Sequence, residues 1–198
     1  MYHPDHEGVE FENVQSSQMS EKGNYVAFIV HREIDKQDSV HINLFSTASQ
    51  EAWVHDSRYT DIQKLGFNHN ENQVVYLASS DTSKVKQYDL FIRGVEGDDV
   101  AKIAYDQIGS DTTEAISKSF SPSFTANDAL LYFGVGEREY EEPKDTLLED
   151  EKVKLDLWHY EDDRLQPQQL KELRRDENYS STFAYHIADG KIVQLSSD

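Results

Sequence analysis

The sequence predicts an all-β fold made of three similar units, each with four short antiparallel strands. Apolar and polar residues alternate over short runs, and Gly, Asn, Asp and Ser residues between the runs indicate turns. Two short motifs recur in the same order at a period of about 50 residues. We expect units at about residues 9–57, 58–108 and 113–198, within one domain that covers residues 1–198.

The first motif predicts a hairpin at the start of each unit. Residues 24–29, 72–77 and 128–133 each have Asn or Asp two places before an aliphatic residue, and an aromatic residue two places after it. A turn-forming segment precedes each motif, which favours strand, turn and apolar strand. The aromatic residues aligned in this way, which we expect in the core, are Phe28, Tyr76 and Tyr132.

The second motif predicts the third strand of each unit. Residues 42–45, 88–91 and 155–158 all read apolar, Asn or Asp, Leu, aromatic, and a fourth strand candidate follows each of them. Four short strands per unit at this period are typical of a β-propeller blade, and a β-sandwich is the alternative. The aromatic residues aligned by this motif, also expected in the core at matching places, are Phe45, Phe91 and Trp158.

The third unit is longer than the others because it contains insertions. Residues 137–152 form an acidic loop, and a short helical insertion is expected at residues 167–175, where Pro167 suits a first helical turn. Alternating residues on both sides of Asp189-Gly190 then predict a hairpin over residues 182–195.

The net charge of -19 argues against two classes of partner. Phosphate backbones and anionic lipid headgroups repel such a surface, so we expect no nucleic acid and no membrane partner. The absence of cysteine excludes disulfides and thiolate sites. No apolar stretch is long enough for a transmembrane helix, and the first residues do not resemble a signal peptide, so the compartment is left unassigned.

No catalytic residue is predicted. The Gly-x-Ser-x-Gly motif of hydrolases does not occur, and the glycines at 134 and 136 lack the rest of a phosphate-binding fingerprint, which favours a strand end there. His159 and His186 fall in strand-like segments and are interpreted as partly buried, hydrogen-bonded side chains.

No metal or cofactor site is predicted either. His3 and His6 lie near the chain terminus, where mobile residues are common. The carboxylates of residues 137–152 lack the ordered spacing of a calcium loop and are interpreted as solvated.

Several segments resemble the WD40-like propeller of the prolyl oligopeptidase family of serine peptidases. The likeness is closest at residues 155–169 and 184–195, and it extends over residues 9–198. It implies a non-catalytic propeller that gates or selects peptides for a hydrolase domain absent from this chain, in a whole protein that is periplasmic or secreted. Glu141-Glu142 is similar to the paired glutamates that hold a substrate amino terminus in some dipeptidyl peptidase propellers.

The expected partners follow from this resemblance. They are the hydrolase domain, further blades and peptide substrates; the alternative is a protein- or glycan-binding propeller unrelated to a peptidase. Three blades are too few to close a propeller ring, so we also expect self-association through the open end blades.

Overall fold

The described part of the chain folds into three antiparallel sheets that follow one another along the sequence, with one helix in the third unit. The computed structural model describes residues 9–34, 37–97, 99–104, 108, 113–141 and 164–196. The expected all-β class, with about three four-stranded units and a helical insertion in the third, is confirmed. The helix among the described residues is not long and apolar enough to span a membrane.

The strands of each sheet pair mainly with their sequence neighbours. The first sheet contains β1 (Val14–Met19), β2 (Tyr25–Ile34), β3 (Gln37–Ser46) and β4 (Ala52–Tyr59). The second contains β5 (Asp61–Phe67), β6 (Gln73–Ser79), β7 (Asp89–Gly94) and β8 (Val100–Ile103). The third contains β9 (Glu114–Ile116), β10 (Ser123–Phe124), β11 (Leu130–Glu137), β12 (Ser181–His186) and β13 (Ile192–Gln194).

Two apolar layers hold the stack of sheets together, one on each side of the second sheet. Successive side chains of a strand point to opposite faces, so β6 contributes to both layers. Val74 and Tyr76 pack against the first sheet, whereas Val75 and Leu77 pack against the third. Burial of these side chains is the main driving force for stacking the sheets.

The expected alignment of Tyr132 with Phe28 and Tyr76 is wrong by one residue. Phe124 pairs with Leu131 as Met19 pairs with Val26, so Phe133 is the residue equivalent to Phe28. Phe133 is fully buried against the second sheet, whereas Tyr132 is half-buried on the opposite face. A shift of one residue moves every side chain of a strand to the other face.

The third strand of the third sheet is not the predicted segment 155–158. That place beside β11 is taken by β12, and β13 pairs with β12 as the predicted hairpin requires. Residues 155–158, and Trp158 with them, lie outside the described residues.

Phe45 and Phe91 occupy the same face of their sheets but not matching places. Phe91 pairs with Tyr76, whereas Phe45 pairs with Val26. The residue of the first sheet that is equivalent to Tyr76 is Phe28, and Val26 lies two residues before it, nearer the turn at residues 20–23. Phe91 is buried between the sheets. Phe45 is half-buried on the outer face of the first sheet, where Phe11 covers it with a ring centroid distance of 5.6 Å.

The predicted first strand of the third unit is broken into β9 and β10. Residues 118–122 leave the ladder between them, and Pro122 offers no N–H for pairing. Phe120 of this segment packs directly on Gly134, where an added Cβ would lie 2.4 Å from the Phe120 Cβ. Gly134 therefore lies inside β11 and permits a close approach, rather than marking the end of a strand.

The predicted helix is present and is slightly longer than expected. Helix α1 (Gln166–Glu177) has Pro167 in its first turn, and its N-cap is Leu165, which makes no side-chain cap. Arg164 ties the helix start to its body through Glu172 at 2.9 Å and Asp176 at 2.7 Å. Residues 166–177 thus form a polar helix with a solvated surface.

Candidate functional site

The two edges of the sheet stack differ in their loops. Short turns at residues 20–23, 68–71 and 125–128 lie together on one edge, here named the turn face. The opposite edge, named the insertion face, holds the connection of β6 to β7, together with residues 138–141 and 164–180, which lie between β11 and β12. Long insertions in compact domains are usually functional, which makes the insertion face the candidate binding surface.

A recess lies on the insertion face between the second and third sheets. Lys118 Nζ pairs with Glu139 Oε2 at 2.6 Å, and Gln87 Nε2 donates to the Glu139 carbonyl oxygen at 2.8 Å. Glu137 and Glu177 add exposed carboxylates. The recess is lined by Lys86, Gln87, Tyr88, residues 115–119, Gly136, Glu137, Glu139, Glu177 and Tyr179.

Tyr88 forms the inner wall of this recess and is held in a polar cluster. Its hydroxyl donates to Asp61 and accepts from Gln63 Nε2 at 3.0 Å, while Gln63 also donates to Asp61 at 2.9 Å. Burial raises the pKa of Tyr88, and the hydrogen bond and negative charge of Asp61 raise it further. The phenol therefore stays protonated and fixes the wall of the recess.

A second polar cluster lies between the first two sheets, around the Asp56 carboxylate. Tyr76 donates to Asp56, Tyr59 donates to it at 2.9 Å, and the Arg93 Nη1 atom lies 3.3 Å from its Oδ2 atom. Burial raises the pKa of both phenols, and Asp56 raises each further. The Tyr76 ring stacks on Phe91 with centroids 5.3 Å apart. These contacts fix the packing of the two sheets rather than expose a reactive group.

His55 borders this cluster and stays neutral. Its side chain is buried, and within the described residues its Nε2 atom has no hydrogen-bond partner. Burial and the positive charge of Arg93 lower the pKa of His55 to about 4, although Asp56 opposes the shift. A histidine with this pKa is a poor general base at neutral pH.

On the turn face, Glu71 joins the second sheet to the first. Its carboxylate accepts hydrogen bonds from the Lys22 amide and from Asn24 Nδ2, the latter at 2.5 Å. Burial alone would raise the pKa of Glu71, but hydrogen bonds from Ser20, Lys22 and Asn24 outweigh it and lower the pKa. The carboxylate is therefore ionised and bound to the turn of the preceding sheet.

Asp128 joins the third sheet to the second in the same way. Its carboxylate accepts from the His69 amide at 2.9 Å and from the Asn70 amide at 2.8 Å. Successive backbone amides that point to one spot bind anions. The turn face is thus tied from sheet to sheet by carboxylates.

The histidines and glutamates singled out in the sequence do not form a site in the described part of the chain. His186 is half-buried at the end of β12, and Glu141 is exposed, whereas Glu142 and His159 lie outside the described residues, as do His3 and His6. Within the described ranges, no group of three His, Asp or Glu residues is arranged to hold a metal ion. Sequence reasoning missed the clusters around Asp56 and Tyr88, because their members are far apart along the chain.

No family model and no curated protein matches the chain. The β-propeller domain of the Trilobed protease from Pyrococcus furiosus has a TM-score of 0.53 at 13% identity, over 94% of this chain and 44% of that chain. For Pyrococcus horikoshii acylaminoacyl peptidase the TM-score is 0.51 at 10% identity, over 93% of this chain and 25% of that chain. For TolB from Acinetobacter baumannii the TM-score is 0.48 at 10% identity, over 93% of this chain and 32% of that chain.

The similarities to the Trilobed protease domain and to the acylaminoacyl peptidase establish the fold. The chain spans less than half the length of each of these solved structures. The three sheets are blades of a partial, open β-propeller, and the expected likeness to propeller domains of prolyl oligopeptidase-like peptidases is confirmed for the fold.

Proposed function

We propose that this chain is a non-catalytic propeller module that selects peptides for the hydrolase domain of a prolyl oligopeptidase-like serine peptidase. The observation that carries the proposal is the propeller fold shared with the Trilobed protease domain and the acylaminoacyl peptidase. The resemblance of residues 155–169 and 184–195 to propellers of that family supports it. Peptide selection, rather than peptide cleavage, is the role that this fold and the absence of a Gly-x-Ser-x-Gly motif favour.

The recess on the insertion face is where we place the peptide contact. Lys118 neutralises Glu139 at 2.6 Å, so that among the described residues lining the recess Lys86 alone opposes the exposed carboxylates of Glu137 and Glu177. An excess of carboxylates favours an ammonium group, because ionised partners form the stronger hydrogen bonds. A peptide amino terminus or a lysine side chain therefore suits the recess better than a carboxylate does.

Calorimetric titration with short peptides tests this function. Peptides with a free amino terminus should bind, and the same peptides acetylated at the amino terminus should bind more weakly. Glu177→Gln should weaken binding, whereas Glu51→Gln should not, because Glu51 is exposed in the β3–β4 connection of the first blade and does not line the recess. The proposal would be contradicted if the chain bound no peptide, or if Glu177→Gln bound peptides as tightly as Glu51→Gln. Binding of glycans instead of peptides would favour a glycan-recognition module.

The absence of catalysis has its own test. The purified chain should not hydrolyse aminoacyl or peptidyl p-nitroanilides, because no nucleophile elbow occurs in the sequence. Turnover that a single substitution in this chain abolishes would show that the chain itself is an enzyme.

A further inference from the structure

The first hairpin turn has the same backbone conformation in each of the three blades. Gly23, Glu71 and Asp128 occupy equivalent places and have φ angles of 79°, 59° and 54°. Their amides close the turns by donating to the carbonyls of residues 20, 68 and 125 at 3.1, 3.0 and 2.8 Å. Glycine suits this left-handed region, whereas other residues adopt it at a cost, so an acidic residue there calls for a compensating contact.

The compensating contact is made with the turn of the preceding blade. Glu71 accepts from the amide of Lys22 in the first blade, and Asp128 accepts from the amide of Asn70 in the second. Lys22 and Asn70 occupy the same place in their turns, one residue before the left-handed residue. The first and second blades therefore each receive a carboxylate from the blade that follows.

The turn of the third blade offers the same amides. Ala126 and Asn127 stand where His69 and Asn70 stand in the second blade, and both are exposed. Within the described residues, neither amide has a hydrogen-bond acceptor. Beside them, the outward face of the blade carries the half-buried Tyr132 and Val193 and the exposed Leu195.

We infer that the turn at residues 125–128 is a docking site for a further propeller blade, whose first hairpin turn supplies Asp or Glu at its left-handed position. The first blade of a second copy does not fit this description, because it has Gly23 at that place and Phe11 packs on the Phe28 of its outward face at 4.3 Å. The occupant is therefore a blade with an acidic turn and an uncovered face. This inference concerns how the propeller is extended, and it holds whether or not the chain binds peptides.

The chain itself can be converted into such an occupant. Phe11→Ala uncovers the first blade, and Gly23→Asp then provides the carboxylate at the required place. The matched control is Phe11→Ala with Gly23→Asn, because Asn also tolerates the left-handed region and has no charge. Sedimentation equilibrium at one fixed salt concentration should show about tenfold tighter self-association of the Asp variant, since charge-assisted bonds are about twice as strong as neutral ones.

Two further measurements locate the association. Ala126→Pro removes one amide of the docking site while keeping the turn, because Pro suits the second residue of a type I turn, and it should abolish the gain. In NMR spectra of the labelled wild-type chain, the Ala126 and Asn127 amides should shift when the unlabelled Asp variant is added, and should not shift with the Asn variant. Equal self-association of the Asp and Asn variants, or unchanged Ala126 and Asn127 amides, would overturn the inference. Peptide titrations of the wild-type chain are unaffected by either result.

Discussion

Tyr76→Phe isolates the hydrogen bond that ties the first two blades together. The Tyr76 ring is fully buried and stacks on Phe91 at an interplanar angle of 9°, and the substitution leaves this stacking in place. It removes only the donor to Asp56. Asp56 keeps the hydrogen bond from Tyr59 and the ion pair with Arg93, so its carboxylate still has partners.

The expected cost is about 2 kcal/mol, because hydrogen bonds to charged groups contribute roughly 1.5–3 kcal/mol. For a domain of this size, that lowers the melting temperature by about 4–8 °C. Urea unfolding should show a lower midpoint with an unchanged m-value. Tyr132→Phe is the control, because its hydroxyl has no partner among the described residues and its loss should cost less than about 0.5 kcal/mol. Equal stability of Tyr76→Phe and the wild type would refute the structural role of this bond.

Four other substitutions test the fold. His55 has a pKa of about 4 in the folded chain, whereas in the unfolded chain the same histidine is protonated at a higher pH, near its ordinary pKa. The unfolding free energy should therefore fall by up to about 3 kcal/mol as the pH is lowered from 6.5 to 4. This part of the pH dependence should vanish in His55→Gln. Gly134→Ala should cost about 2–3 kcal/mol in urea unfolding, because its Cβ would lie 2.4 Å from the Phe120 Cβ. Gly66→Ala is the matched control and should leave the unfolding free energy nearly unchanged, because the atom nearest to its added Cβ would be Val75 Cγ1, at 3.4 Å. Phe11→Ala should cost about 2 kcal/mol, because it removes two aromatic contacts, and should increase binding of a hydrophobic dye.

The hairpins could be predicted from the sequence because their determinants are local. Turn residues and alternating apolar residues lie within a few positions of one another, as at residues 20–29 and 68–77. The Asp189-Gly190 hairpin was confirmed for the same reason, with Gly190 at a φ of 71°. Each of these signals depends on one strand and its immediate turn.

The register of the third hairpin could not be predicted from the same pattern. Asn24 and Asn72 follow the left-handed residue of their turns, whereas Asp128 is itself the left-handed residue. Aligning the three by their Asn or Asp side chains therefore shifts the third strand by one place. Because Leu130 and Leu131 are both apolar, the hydrophobic pattern does not correct the error.

The polar clusters between strands were beyond sequence reasoning for a different reason. Asp56 and Tyr76 are 20 residues apart and belong to different blades, and Tyr88 and Asp61 are 27 apart. For Asp56 and Tyr76, the contact depends on how one sheet stacks on the next, whereas Asp61 and Tyr88 meet within one blade, because β5, β6 and β7 pair side by side. No fixed spacing along the chain produces either pair.

The acidic composition of the chain combines two physically different sets of carboxylates. Glu137 and Glu177 are exposed, and charges of this kind favour solubility and repel anionic partners. Asp56, Glu71 and Asp128 instead accept hydrogen bonds across the boundary between two blades. Burying a carboxylate is costly unless donors satisfy it, so each of these residues stabilises one arrangement of neighbouring blades over others. The net charge therefore predicts which partners are repelled, whereas the order of the blades depends on the few carboxylates whose donors lie in the adjacent blade.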